Sequence, residues 1–296
     1  MTPYLHLRKL LETRLATSAV NWLRAAMAEI ADGPGNARFC VLFSQAARHV
    51  KHAPLAPSPA EVEAALRALE GWNPERWDAL EAARVLLILA RTDLGGDGGA
   101  LALDEAFRYA DEGELCALLR SLALVPGAER FAWRAGEGCR SNMRSVFEAT
   151  ALDTPFPALY FDDVAWRQCV IKCLFVGGPL WRLWRLDERL SSELARMALD
   201  LADERRSAGR PVPHELWLCL GRSGGARGLD ALERELEPSN PNRAGRCAAA
   251  LAFARAGDTA RLARLEKDET DPAMRAALAR ARAGEIGAPS FRHLVP

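Results

Sequence analysis

Phe253-Ala254-Arg255-Ala256-Gly257-Asp258-Thr259-Ala260-Arg261-Leu262 ends one apolar helix in a small-residue, acidic turn and starts another at once. The same device stands at Phe107-Arg108-Tyr109-Ala110-Asp111-Glu112-Gly113-Glu114-Leu115, and Arg255-Ala256-Gly257-Asp258 is echoed by Arg282-Ala283-Gly284-Glu285. Between the echoes Asp271-Pro272-Ala273-Met274-Arg275 opens a helix. Paired helices recurring at this short period predict an α-solenoid, in which each hairpin buries its apolar face against the next, with an irregular helical bundle as the alternative.

The turn and the Asp-Pro helix after it look like HEAT-type repeats. Composition agrees with an all-α chain. Ala and Leu, strong helix formers, dominate, whereas isoleucine occurs four times and the β-branched residues that sheets draw on are scarce. At 49% apolar and 26% charged over 296 residues, the chain is an ordinary globular one with enough length for a substantial core.

Longer helices are expected in the N-terminal part. Leu7, Leu10, Leu11, Leu15, Val20 and Leu23 hold helical spacing over about 4–31, and Asp32-Gly33-Pro34-Gly35 stops that helix. A second runs from about Ala37 to Val50. Ser58, with Pro59 at the first position and Glu61 in the first turn, is a well-formed helix start. Asn73-Pro74 repeats the device for a helix ending near Arg91. Leu94-Gly95-Gly96-Asp97-Gly98-Gly99 reads as a loop that cannot hold regular structure, dividing an N-terminal helical region, 1–99, from a helical-repeat region, 100–296.

Several function classes recede at once. With 39 basic and 39 acidic side chains the formal charge is zero, which disfavours a nucleic-acid binder. The longest clean apolar run, Val85-Leu86-Leu87-Ile88-Leu89-Ala90, falls far short of the roughly 18–20 residues of a membrane span. The start lacks the order of a signal peptide, and seven cysteines set mostly in apolar helical patterns suit reduced thiols. A cytoplasmic protein is expected.

Motifs that invite chemistry mostly have a plainer reading. Gly221-Arg222-Ser223-Gly224-Gly225 matches G-x-S-x-G, but a nucleophile elbow needs a strand before it, and none is predicted. His49 and His52 read as last-turn residues meeting a helix dipole rather than as metal ligands. Cys169 and Cys173 lack the second pair a zinc site requires. Trp72, Trp77, Trp181 and Trp184 interleave with arginines in the manner of core aromatics under snorkelling side chains. Lys172 stands out, because the helix from Val164 to Val176 is interrupted only by Arg167, Gln168 and Lys172. A helix so apolar is expected to be buried on most sides, and its ammonium to be paired with Glu148 or Asp187 or to face a ligand cavity.

The middle of the chain carries an ordered set of segments. It runs Arg140-Ser141-Asn142-Met143-Arg144-Ser145-Val146-Phe147-Glu148-Ala149, then Asp153-Thr154-Pro155-Phe156-Pro157, Ala165-Trp166-Arg167-Gln168 with Lys172 and Phe175, and Gly178-Pro179-Leu180. Leu186-Asp187-Glu188-Arg189, Asp203-Glu204-Arg205-Arg206-Ser207-Ala208-Gly209-Arg210 and Leu216-Trp217 complete it. Over about 138–218 this resembles the EboA family, whose pattern has an SNMR-x-VFEA segment, an NPYP-like turn, a WNQ-x-x-LK helix, a GLDER turn and a HERWAAGRP segment. Arg167 stands where the pattern has Asn, Asp153-Thr154 replaces the Asn before proline, and Asp203 and Arg206 replace its His and Trp.

The resemblance implies a link to trafficking of secondary-metabolite precursors, alongside other Ebo proteins that include a UbiA-like prenyltransferase, and it implies no defined reaction. Two functional classes follow. The first is a non-enzymatic binding or scaffold protein for the trafficking or processing of such a precursor. Its expected partners are proteins of the same pathway, a membrane prenyltransferase being one candidate, and a small-molecule precursor. No cofactor, metal or nucleic acid is expected. The second is a cofactor-free enzyme using a polar pocket around Lys172. The candidate ligand-binding residues are Asn142, Arg144, Glu148, Trp166, Gln168, Lys172, Asp187 and Arg189, with Arg144 and Lys172 facing an anionic or carbonyl-bearing ligand, Glu148 balancing their charge and Trp166 forming an apolar wall. No catalytic residue is assigned.

Overall fold

A computed structural model of the chain describes residues 1–257 and 259–294, with the side chains of Thr259 and Asp268 outside the description; Asp258, half of the echo noted above, lies outside it too. The described residues form an all-α protein without a β-strand, apart from an isolated bridge between Pro54 and Asp78. They gather into two units, Met1–Asp162 and Asp163–Pro296. The glycine-rich segment at 94–99 falls inside the first.

The first unit holds α1 (Pro3–Arg14), α2 (Thr17–Ala31), α3 (Asn36–His49), α4 (Pro59–Ala68), α5 (Ala79–Leu89), α6 (Asp97–Tyr109), α7 (Glu112–Ser121), α8 (Ala132–Arg140), α9 (Arg144–Ala151) and α10 (Phe156–Tyr160). At its centre is α5, whose Val85–Ile88 run is fully buried because α1, α2, α3 and α7 surround it. A helix apolar on every side has no face to give to water, so others must cover it. Ser58 caps α4 in a reciprocal box with Glu61, as its spacing predicts, and Asp111 does the same for α7 with Glu114.

Three sequence expectations need correction here. The helix over 4–31 is two helices, broken at Leu15 and Ala16, both extended. No Gly or Pro marks the break. Instead, Arg14 turns away to donate from Nε to the Leu55 carbonyl at 2.7 Å and to pair with Glu61 at 2.6 Å. Asn73-Pro74 starts only a 3-10 turn, Pro74–Arg76, and Asp78 caps α5 with its own box through Glu81. The 94–99 segment is not all loop, since α6 begins at Asp97. A Cβ on Gly99 would lie 2.6 Å from both the Asp93 carbonyl oxygen and the Leu94 Cα, so glycine there lets the first helical turn press onto the chain before it.

The second unit holds α11 (Asp163–Phe175), α12 (Ser192–Ser207), α13 (Gly225–Glu235), α14 (Arg243–Ala256), α15 (Thr259–Asp268) and α16 (Pro272–Arg282). Between and after them run 3-10 segments at Leu180–Arg182, Asp187–Arg189, His214–Cys219, Gly221–Gly224 and Ala288–His293. Its centre is α14, with Ala248–Phe253 all buried against α13, α15, α16 and the segments at 214–224. Alanine lets these neighbours approach closely while keeping helix propensity high. Asp271 caps α16 and Pro272 occupies its first turn, as expected.

Candidate functional site

In the second unit the motif segments hold one another. Trp166, on α11, is 1% exposed, and its indole N–H donates to the Arg189 carbonyl at 3.2 Å. The Arg189 guanidinium lies 4.7 Å from the indole centroid and reaches the Asp163 carboxylate at 3.1 Å. A buried indole needs a partner for its one donor, and the 187–189 turn supplies it.

Glu215 joins two other segments. Its carboxylate, buried in the 214–219 helix, accepts the backbone N–H groups of Leu180 and Trp181. Burial pushes its pKa up to about 7, against the downward pull of those two N–H groups. His214 Nε2 stands 3.9 Å away, and burial lowers the imidazole pKa, so the two groups are held as neighbours that both disfavour charge.

Asp187 makes the third link. One oxygen accepts from Arg255 at 2.6 Å and the other from the Ala288 N–H at 2.9 Å. Arg255, with a side chain 7% exposed, also donates to the Ile286 carbonyl at 2.6 Å. One ion pair thus ties the 187–189 turn to the end of α14 and to the last 3-10 segment.

A trough opens beside this pair. One part, of about 390 Å³, is lined by Asp187, Leu190, Arg222, Ser223, Arg255 and Ile286. A second part, of about 380 Å³, is lined by Leu220, Leu229, Leu232 and Ala256, with glycines between them. Gly221 and Arg222 line both. At Gly221 φ is +47° and a Cβ would stand 2.8 Å from Leu190 Cδ1, so glycine shapes the wall there. The G-x-S-x-G match therefore lies on a 3-10 turn of the trough, without the strand an elbow requires. Among the described residues, neither the Ser223 hydroxyl nor the Arg222 guanidinium has a hydrogen-bond or ion-pair partner. A larger cleft of about 800 Å³ lies between α13, α15 and the start of α16, and the ion pairs Arg246–Glu269 and Arg261–Glu233 line it.

The eight residues expected at a ligand site are divided between the units. Asn142, Arg144 and Glu148 belong to the first, where Arg144 donates to Glu148 at 2.7 Å one turn along α9 and Asn142 is exposed. Trp166, Gln168, Lys172, Asp187 and Arg189 belong to the second. Trp166 and Arg189 are in contact, Gln168 is exposed, and Asp187 takes Arg255 rather than Lys172. The expected burial of α11 on most sides is corrected: Val164 is 55% and Phe175 69% exposed, and Lys172 is half-buried with its ammonium 5.7 Å from the Phe175 ring centroid. Arg222, Ser223 and Arg255 were not among the expected site residues. The one signal that pointed to Arg255 was its place in the repeated Arg-Ala-Gly turn.

Other features have structural explanations. His49 stacks on Trp22 at 4.4 Å, and Cys169 and Cys173 are buried. Trp72 and Trp77 are core residues, with Arg120 lying 5.4 Å over Trp77; Trp181 and Trp184 are half-buried under Arg292 and Arg185. Among the described residues no group of three His, Cys, Asp or Glu side chains could hold a metal ion, and no helix is long and apolar enough to cross a membrane.

Neither curated proteins nor solved structures offer a significant match to the chain. The family model described as metabolite traffic protein EboA matches residues 4–221, which takes in every motif segment from Arg140 to Trp217 and reaches the wall of the trough at Gly221. With well over half of its 296 residues inside that match, the chain belongs to the EboA family.

Proposed function

We propose that this chain is a non-enzymatic binding or scaffold protein that serves the traffic or processing of a metabolite precursor. The observation that carries this reading is how the motif side chains of the second unit are used. Trp166, Asp187 and Arg189 are engaged with backbone groups, carboxylates and guanidinium groups of neighbouring segments, and Glu215, next to the Leu216-Trp217 segment, with the backbone of Leu180. Catalytic acids, bases and nucleophiles converge on a reacting atom; these side chains instead fasten corners between 3-10 segments and helices. The family's description as metabolite traffic proteins supports the same reading. So does the packing of α14 against α13, α15 and α16, which suits a HEAT-like platform for protein partners.

On this reading the protein works in the cytoplasm beside the proteins of its pathway, a membrane prenyltransferase being one candidate. The test is co-expression of the full chain with that prenyltransferase, followed by affinity purification in detergent. The expected result is a complex of fixed stoichiometry, together with no conversion of the precursor by the purified chain alone. Turnover of the precursor by the chain alone, lost in Lys172→Ala, would establish the enzyme reading in its place.

A further inference from the structure

We propose that the trough on the second unit binds an anionic amphiphile, with a carboxylate or phosphate head at Arg222 and Ser223, beside the Asp187–Arg255 pair, and an aliphatic tail over Leu229 and the glycines around it. This deepens the binding role above and rests on it.

The head site follows from charge. Of the two arginines that line the trough, Arg255 is engaged by Asp187 at 2.6 Å. Arg222 has no such carboxylate among the described residues, and the Ser223 hydroxyl beside it has no partner there either. Both oxygens of Asp187 are already occupied, so that carboxylate is screened by Arg255 rather than left to repel an anion. A guanidinium and a hydroxyl on one rim present donors that an anionic oxygen can accept.

The tail site follows from the other half. Leu229 is half-buried and offers the apolar surface here, backed by Leu220 and Leu232, each 1% exposed. Added Cβ atoms on Gly225 and Gly257, which also line this half, would meet nothing within 4 Å, so the space there is open. No aromatic ring lines either part, which leaves a nucleobase nothing to stack on and favours an aliphatic chain. Gly221 and Arg222 line both parts, which places the head between an apolar slot and the Asp187–Arg255 pair. Each part lies in the size range of small-molecule pockets.

The test is titration calorimetry of the full chain with sodium decanoate, decanol and acetate below micelle-forming concentrations. Decanoate is expected to bind, decanol at least 10-fold more weakly, and acetate not measurably. Arg222→Ala is expected to weaken decanoate at least 10-fold. Gly228→Leu, whose Cβ would make an ordinary 3.7 Å contact with Leu220, fills the slot and abolishes binding. Leu229→Gln is the second variant should that one not fold. Absence of decanoate binding, or binding equal in wild type and all three variants, overturns the proposal. Flotation with phosphatidylglycerol vesicles that depends on Arg222, without decanoate binding, assigns the head site to a lipid surface and overturns the tail slot. The co-purification test above uses no ligand, so it stands or falls separately.

Discussion

Trp166 and Arg189 hold each other twice: the indole N–H donates to the Arg189 carbonyl at 3.2 Å, and the Arg189 guanidinium covers the indole ring at 4.7 Å. Two segments that the family shares, 23 residues apart in sequence, are thereby one structural unit. Glu215 likewise joins its segment to Leu180, and Asp187 ties the same turn to Arg255, which lies beyond the family match. A motif set of this kind marks a fold whose 3-10 corners lack the regular ladder of a long helix and need side chains to satisfy their backbone groups.

Glu215 makes stability depend on pH. Its folded pKa of about 7 lies above the value of an unfolded glutamate, so the unfolded state releases its proton first as pH rises. Its contribution to stability is therefore full below about pH 4.5, falls between there and 7, and stays low above. Glu215→Gln keeps an acceptor for the Leu180 N–H and removes the buried charge. The variant is expected to gain on the order of 3 kcal/mol relative to wild type above pH 7 and to lose that pH slope. Urea unfolding at pH 5 and pH 8 measures both, and parallel pH dependences in the two proteins would contradict it.

Arg84 and Glu114 form an ion pair at 3.5 Å between α5 and α7, with side chains 4% and 9% exposed. Arg84→Ala strands a buried carboxylate and is expected to cost about 3–5 kcal/mol. Combining Arg84→Met with Glu114→Gln keeps the cap on the Asp111 N–H and leaves no unpaired charge. That double variant is expected to recover most of the loss in urea unfolding; no recovery would show that the pair acts through something other than charge.

Two adjacent glycines at the start of α6 should respond oppositely to the same change. Gly99→Ala drives a Cβ against backbone atoms at 2.6 Å and is expected to lower stability by about 1–3 kcal/mol. Gly98→Ala meets only the tip of the Asp93 side chain, at 2.9 Å, and gains helix propensity. It is expected to be neutral or stabilising by up to about 1 kcal/mol. Thermal melts of the two variants decide the order.

Much of the helical plan was legible because it is written locally. Ser58, Asp111 and Asp271 each announce a helix through the residues next to them. What escaped reading depends on distant partners. At the break before Leu15, Arg14 is tied to Leu55, 41 residues away, and the start of α6 inside a glycine run depends on close packing over Asp93. The candidate site was legible in part. Asp187 and Arg189 were singled out, but their partners Arg255 and Trp166 are set by folding, and Arg222 and Ser223 gain meaning only from the trough around them. The burial of α11 was not legible, because its apolar run does not reveal which face packs, and Val164 and Phe175 stay exposed.

The central claim is that the motif side chains of the second unit serve the fold, and a double-mutant cycle in urea on Trp166→Phe and Arg189→Ala tests it most directly. Trp166→Phe leaves a smaller aromatic ring and removes the donor to the Arg189 carbonyl, so it is expected to cost about 1–3 kcal/mol. Arg189→Ala is expected to cost about 1 kcal/mol, and the two losses to be less than additive by at least 0.5 kcal/mol, roughly the scale of coupling between touching side chains. Unchanged stability in both single variants would contradict the account, because it would mean that these side chains are kept for something other than holding the corner together.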